Sequence, residues 1–187
     1  MKATTSSRRG GFTLVELLAV VTIIIILAGV VIGGMGLVKD RQNASTAKIQ
    51  LALLASALEQ YKLDNGSYPM GDEGSESDSN ILFRALYWGD SENNEEGGAG
   101  AGHKIYLNEL DPDNNKQGWL EGSGADTKIV DPWGNEYHYR PGTLPNGKPN
   151  LDAWNPDFDL WSSGKDGKTS KIDEKHEDNQ DDIKNPS

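Results

Sequence analysis

The sequence predicts an α+β chain in which one long N-terminal helix, membrane-spanning in its first half, lies against a small antiparallel sheet followed by an acidic loop. Three observations carry this. Residues 17–38, from Leu17 to Val38, form an uncharged apolar run; Leu51, Leu54, Leu58 and Tyr61 then recur on one helical face; and the C-terminal half alternates apolar and polar residues between turns rich in Gly and Pro.

Composition narrows the classes. The chain has 187 residues, a formal net charge of −11, 22 Gly, 8 Pro and no Cys. Beyond the apolar run there is room for one domain of ordinary size. So acidic a surface argues against nucleic acid as a partner and favours solubility or cation binding. Without cysteine no disulfide staple exists, so a loop-rich domain must be held by a core or by metal. Mean hydropathy is −0.62 despite the apolar run, which shows how polar the remainder is.

Taken in order, residues 1–11 are a short leader whose charges, Lys2, Arg8 and Arg9, are all positive. By the positive-inside rule they hold the N-terminus on the cytoplasmic side. At about 1.5 Å per helical residue, residues 17–38 cover a hydrocarbon core of about 30 Å. A secretory signal peptide places its small-residue cleavage site after a shorter apolar region. Here Gly10 and Gly11 stand before the run instead. Gly29, Gly33, Gly34 and Gly36 weaken the helix, and Gly29-x-x-x-Gly33 is a small-residue packing pattern. Two readings stay open: ordinary membrane-helix glycine, or a point that unwinds or packs tightly against a neighbour.

Helical signals continue past the span, so Phe12 to about Asp64 reads as one helix of about 80 Å. Lys48, Gln50, Glu59, Gln60 and Lys62 occupy its polar side. Asp64-Asn65-Gly66 ends it with a residue suited to positive φ, and Ser67-Tyr68-Pro69 turns the chain away. Residues 71–80 read as loop, 80–88 as a short docked helix carrying Ile81, Leu82, Leu86 and Tyr87, and 89–102 as a mobile surface loop. Residues 104–107 are a short strand or extended segment, and 111–124 are turn-rich. Residues 127–130 lead into the turn Asp131-Pro132-Trp133-Gly134-Asn135, then a strand at 136–140. A second strand at 157–163 places Phe158 and Leu160 on one face.

Gly11-Phe12-Thr13-Leu14-Val15-Glu16, with a basic leader before it and an apolar run after it, resembles the processing site of type IV pilin-like proteins. Further along, Tyr61-Lys62-Leu63-Asp64-Asn65-Gly66-Ser67-Tyr68-Pro69, Asp131-Pro132-Trp133-Gly134-Asn135-Glu136-Tyr137 and the stretch from Phe158 to Gly167 are similar, in the same order, to the major pseudopilin of type II secretion systems, the general secretion pathway protein G family. The resemblance implies a type IV pilin-like fold. It also implies cleavage between Gly11 and Phe12, methylation of the Phe12 amine, and retention of residues 12–38 as membrane anchor and assembly helix. Loss of Lys2, Arg8 and Arg9 then takes the charge from −11 to −14. The implied partners are copies of itself, minor pseudopilins, a prepilin peptidase and methyltransferase, and an inner-membrane secretion platform. The implied location is the bacterial inner membrane, crossed once, with residues 39–187 periplasmic and a periplasmic pseudopilus after assembly.

Two sets of residues stand out chemically. Glu16 is a carboxylate at the rim of an apolar helix, which is costly unless it meets a cation. The family assigns that cation as the Phe12 amine of a neighbouring subunit. The second set lies in the acidic loop 164–187, since Ca²⁺ takes six to eight oxygen ligands from carboxylates and carbonyls in loops. The resemblance transfers Asp166, Asp181 and Asp182 as side-chain ligands, with carbonyls of Leu160 and Ser163. The stretch from Asp166 to Asp181 is longer than the family pattern, which leaves Asp173 and Asp178 as alternatives.

Asp111-x-Asp113-x-Asn115 opens like an EF-hand, but Lys116 stands where Gly is needed and Gly122 where Glu is, so it reads as turn chemistry. His103, His138 and His176 lack metal-ligand spacing, and Trp119, Trp133, Trp154 and Trp161 read as core or rim packing. With no nucleophile or catalytic pair, the sequence is read as a structural, non-enzymatic subunit: a major pseudopilin of type II secretion. The alternatives are a type IV pilus or competence pilin, and a membrane-anchored binding module that forms no polymer.

Overall fold

The computed structural model describes residues 12–70, 79–89, 102–170, 173 and 175–185, without side chains at 30–35 and 37. The leader with Gly11, and the loops expected at 71–80 and 89–102 apart from their ends, lie outside the described residues. By contacts the chain divides into two units, Met1–Asp40 and Arg41–Ser187.

Helix α1 runs Leu14–Asn65. Its end follows the expectation: the Gly66 N–H donates to the Lys62 carbonyl at 2.8 Å with φ at 80°, a left-handed residue that Gly adopts without strain. Among the described residues no helix is long and apolar enough to cross a membrane. The expected span of residues 17–38 includes the side chains that are not described. In the first unit, Leu14, Val15, Leu17, Leu18, Val20, Val21 and the run Ile23 to Leu27 are all exposed.

In the second unit, Leu51, Leu54 and Leu58 are fully buried, as their spacing requires, and Tyr61 is partly buried against the same core. Gln50 departs from expectation. It is buried rather than polar-facing, because the Tyr137 hydroxyl donates to its Oε1 at 2.7 Å. Helix α2, Ser79–Phe83, passes directly into a π-helical turn, Arg84–Trp88. The Gly89 N–H closes that turn on the Arg84 carbonyl. Leu82, Phe83 and Leu86 fill the core beside α1, together with Leu110, Trp119, Ile129, Tyr139 and Leu160. Residues 104–107 form no strand; Tyr106 lies at a bend, Leu107 is extended, and the N–H groups of both donate to the Leu86 carbonyl.

Two small antiparallel sheets complete the unit. Strand β1, Leu120–Glu121, pairs with β2, Lys128–Ile129, and arises within the stretch read as turns. The three-stranded sheet has the order β3–β4–β5, from His138–Pro141, Phe158–Ser162 and Ile183–Lys184. Strand β3 starts at His138 and not at Glu136. Residues before it turn back on the chain around β2 instead, with Val130 bridged to Glu136 and the Tyr137 N–H donating to the Ile129 carbonyl. The acidic tail read wholly as loop returns to the sheet, pairing Ile183 with Ser162 and Lys184 with Trp161. Tyr139, Phe158, Leu160 and Ile183 belong to the core, as the alternation required of Phe158 and Leu160, but the intervening Asp159 and Trp161 are buried as well.

Candidate functional site

At the start of α1 the side chain of Glu16 folds back on Thr13. Both the Thr13 N–H and its hydroxyl donate to Glu16 Oε2, at 2.9 and 2.8 Å, while the Glu16 N–H donates to Thr13 Oγ1 at 3.3 Å. This is a reciprocal capping box, and Thr13-Leu14-Val15-Glu16 carries its spacing openly in the sequence. Thr13 is thus the functional neighbour that reading Glu16 alone had missed. Phe12 stands beside the box, 85% exposed. The arrangement orients one carboxylate at the tip of a helix whose next large apolar side chains, from Leu17 to Leu27, are exposed.

The acidic loop is built on β4. From Phe158 to Gly164 every residue is buried, and the loop then emerges through Lys165, Asp166, Gly167 and Lys168 before returning at β5. Asp166, Asp181 and Asp182 come together here. Asp181 Oδ2 accepts from the N–H groups of Lys165 and Asp166 at 2.8 and 3.1 Å, and Asp166 Oδ1 accepts from the Lys168 N–H at 2.8 Å. Asp182 Oδ2 accepts from the Thr169 hydroxyl at 2.7 Å. Its other oxygen, Oδ1, is buried without a hydrogen-bond partner. Burial, added to by the charges of Asp181 and Asp166 and only partly countered by Thr169 and Lys184, pushes the Asp182 carboxyl up to about 6.

The alternative carboxylates serve their own turns. Asp173 Oδ1 accepts from the Lys175 N–H, and Asp178 pairs with His176 at 3.3 Å. Of the expected carbonyl donors, that of Leu160 already accepts from the Asn185 N–H at 2.9 Å. Ser163 is buried, and its hydroxyl lies 2.7 Å from His138 Nε2. Among the described residues no group of three or more His, Asp and Glu side chains is arranged to hold a metal ion by itself. What fits a hard cation is narrower: one orphaned, buried carboxylate oxygen with two further carboxylates adding negative charge, in a loop that also offers carbonyls.

The EF-hand-like stretch is turn chemistry. Asp111 Oδ1 accepts from the Asp113 N–H and from the Tyr87 hydroxyl, capping the 3₁₀ turn Pro112–Asn114. Trp119 and Trp161 are buried, and Trp133 packs against the core.

The family model for type II secretion system (T2SS) protein G matches residues 36–78, and that for the prokaryotic N-terminal methylation motif matches residues 6–32. The chain is similar to the type II secretion system core protein G of Pseudomonas aeruginosa, 34% identical over 164 residues, covering 86% of this chain and 87% of the relative. It is likewise similar to the core protein G of Vibrio cholerae, 30% identical over 160 residues, covering 86% and 85%. With that of Escherichia coli K12 it is 32% identical over 137 residues, covering 73% and 74%.

Proposed function

This chain belongs to the type II secretion system core protein G family, and from that premise we propose that it is a pseudopilin whose work is assembly and not catalysis. The observation that carries the reading is the bare first part of α1. Apolar side chains from Leu14 to Leu27 are exposed around the helix, from within the Thr13–Glu16 box onward and inside the matched methylation motif. A helix apolar on all sides is stable only in lipid or against other apolar helices.

In this reading Gly11–Phe12 is cut by a prepilin peptidase, Phe12 is methylated, and residues 12–38 anchor the subunit in the inner membrane with the domain periplasmic. Copies then leave the bilayer, with minor pseudopilins and an inner-membrane platform, and pack the same segment as the axis of a periplasmic pseudopilus. Glu16, oriented by Thr13, meets the Phe12 amine of a neighbouring copy. Ca²⁺ is the cation for the acidic loop, held by Asp182 Oδ1 with Asp166, Asp181 and carbonyls of Ser163 and Leu160. When bound it supplies charge compensation for Asp182 and no chemistry on a substrate.

Mass spectrometry of the protein from its native cells tests this. A mature chain beginning at N-methylated Phe12 and recovered in filaments is expected. An intact Met1 and a monomer at every stage would replace the reading with that of a simple anchored module.

A further inference from the structure

The turn Asp131-Pro132-Trp133-Gly134-Asn135 lies far in sequence from the acidic loop yet is hydrogen-bonded into its root. The Ser162 hydroxyl donates to Asp131 Oδ2 at 2.5 Å and accepts from the Gly164 N–H at 3.1 Å. The Gly164 carbonyl accepts from Asn135 Nδ2 at 2.7 Å, and the Asn135 N–H donates back to Asp131 Oδ1 at 2.9 Å. These four bonds close a ring. Asp131 is 2% and Ser162 0% exposed and Gly164 is buried, whereas Asn135 is half-buried, so the ring is interior on all but its Asn135 corner.

Gly164 is gripped on a third side. A Cβ there would stand 2.4 Å from the Asp181 carbonyl oxygen and 2.6 Å from Asp181 Oδ2, and one on Gly167 would stand 2.8 Å from Asn135 Oδ1. Between these two glycines lie Lys165 and Asp166, whose N–H groups hold Asp181. We infer that Asn135 and Asp131 are positioning residues for the acidic loop: through Gly164 they set Asp166 and Asp181 in place before any cation arrives.

Only the affinity arm of the test rests on the calcium reading above. The full-length chain in detergent is compared with Asn135→Ala, and with Asn135→Asp, which keeps the size and turn bonds but loses the amide donor. Calorimetric titration with Ca²⁺ is expected to show affinity at least about tenfold weaker in both, the usual effect of removing a residue that orients a ligand. In calcium-free protein, amide exchange at Lys165 and Asp166 is expected to quicken about tenfold in both variants, with that of β3 unchanged. Exchange at those amides equal to wild type in both variants overturns the inference, as does loss of the whole fold in both. A wild type that takes up no Ca²⁺ removes the calcium reading and leaves the exchange result to decide the ring.

Discussion

The Tyr137 hydroxyl donates to Gln50 Oε1 at 2.7 Å inside the core, joining α1 to the residue before β3 across 87 positions of sequence. Both residues are buried, Tyr137 at 0% and Gln50 at 3% exposure. A buried acceptor that loses its donor costs about 1–3 kcal/mol, whereas removing both partners together is nearly neutral. Tyr137→Phe is therefore expected to destabilise by that amount in denaturant melts. Adding Gln50→Leu should recover most of it, and a fully additive double variant would show that the pair is not coupled.

Glu16 and Thr13 belong to the unit Met1–Asp40, and neither is a member of the core cluster of the second unit. Glu16→Ala is expected to leave the thermal melt of the domain unchanged and to reduce filament yield sharply. Thr13→Ala, which removes the hydroxyl but not the carboxylate, should reduce yield less. Filaments at wild-type yield from Glu16→Ala would exclude the charge-pairing role.

Asp182 Oδ1 is buried and unpartnered, and in the proposed reading Ca²⁺ compensates it. A metal bound only by the native state stabilises by about 2.7 kcal/mol when present at a hundred times its dissociation constant. Chelation is thus expected to lower Tm by several degrees, and Asp182→Ala to abolish the difference between chelated and calcium-loaded protein. Superimposable melts of the wild type under the two conditions would dispose of the site.

Glu136 Oε1 accepts from the Ser79 N–H and hydroxyl at 2.8 and 2.9 Å, and Oε2 from Lys128 Nζ at 2.9 Å. Burial pushes its carboxyl up, but the bonds to Lys128 and Ser79 outweigh burial and hold it below the usual 4.5. A carboxylate lowered in the native state adds stability that is present above the unfolded value and lost as pH falls through the native one. Tm should therefore drop below pH 4.5, and Glu136→Gln should flatten that acid limb. Parallel acid limbs in the two proteins would assign the drop to other carboxylates.

Features that depend on near neighbours in sequence were legible without coordinates. Periodicity alone placed Leu51, Leu54 and Leu58 in the core, Asn65-Gly66 marked the end of α1, and alternation put Phe158 and Leu160 on the inner face. The Thr13-x-x-Glu16 box was equally local and could have been read from its spacing. The two-residue strands β1 and β5 were not, because strands that short carry no period of their own and exist only where a distant partner supplies the ladder.

By itself the sequence determined the long helix, its apolar first part, the acid at its tip and the identities of the acidic loop, since each follows from residue type and spacing along one segment. Tertiary structure alone decided that Gln50 would be buried, that Asp182 would hold an oxygen without a partner, and that the Asp131–Asn135 turn would grip Gly164. The reason is physical: desolvation and hydrogen-bond closure are properties of groups brought together from remote parts of the chain, and neither exists until the core has formed.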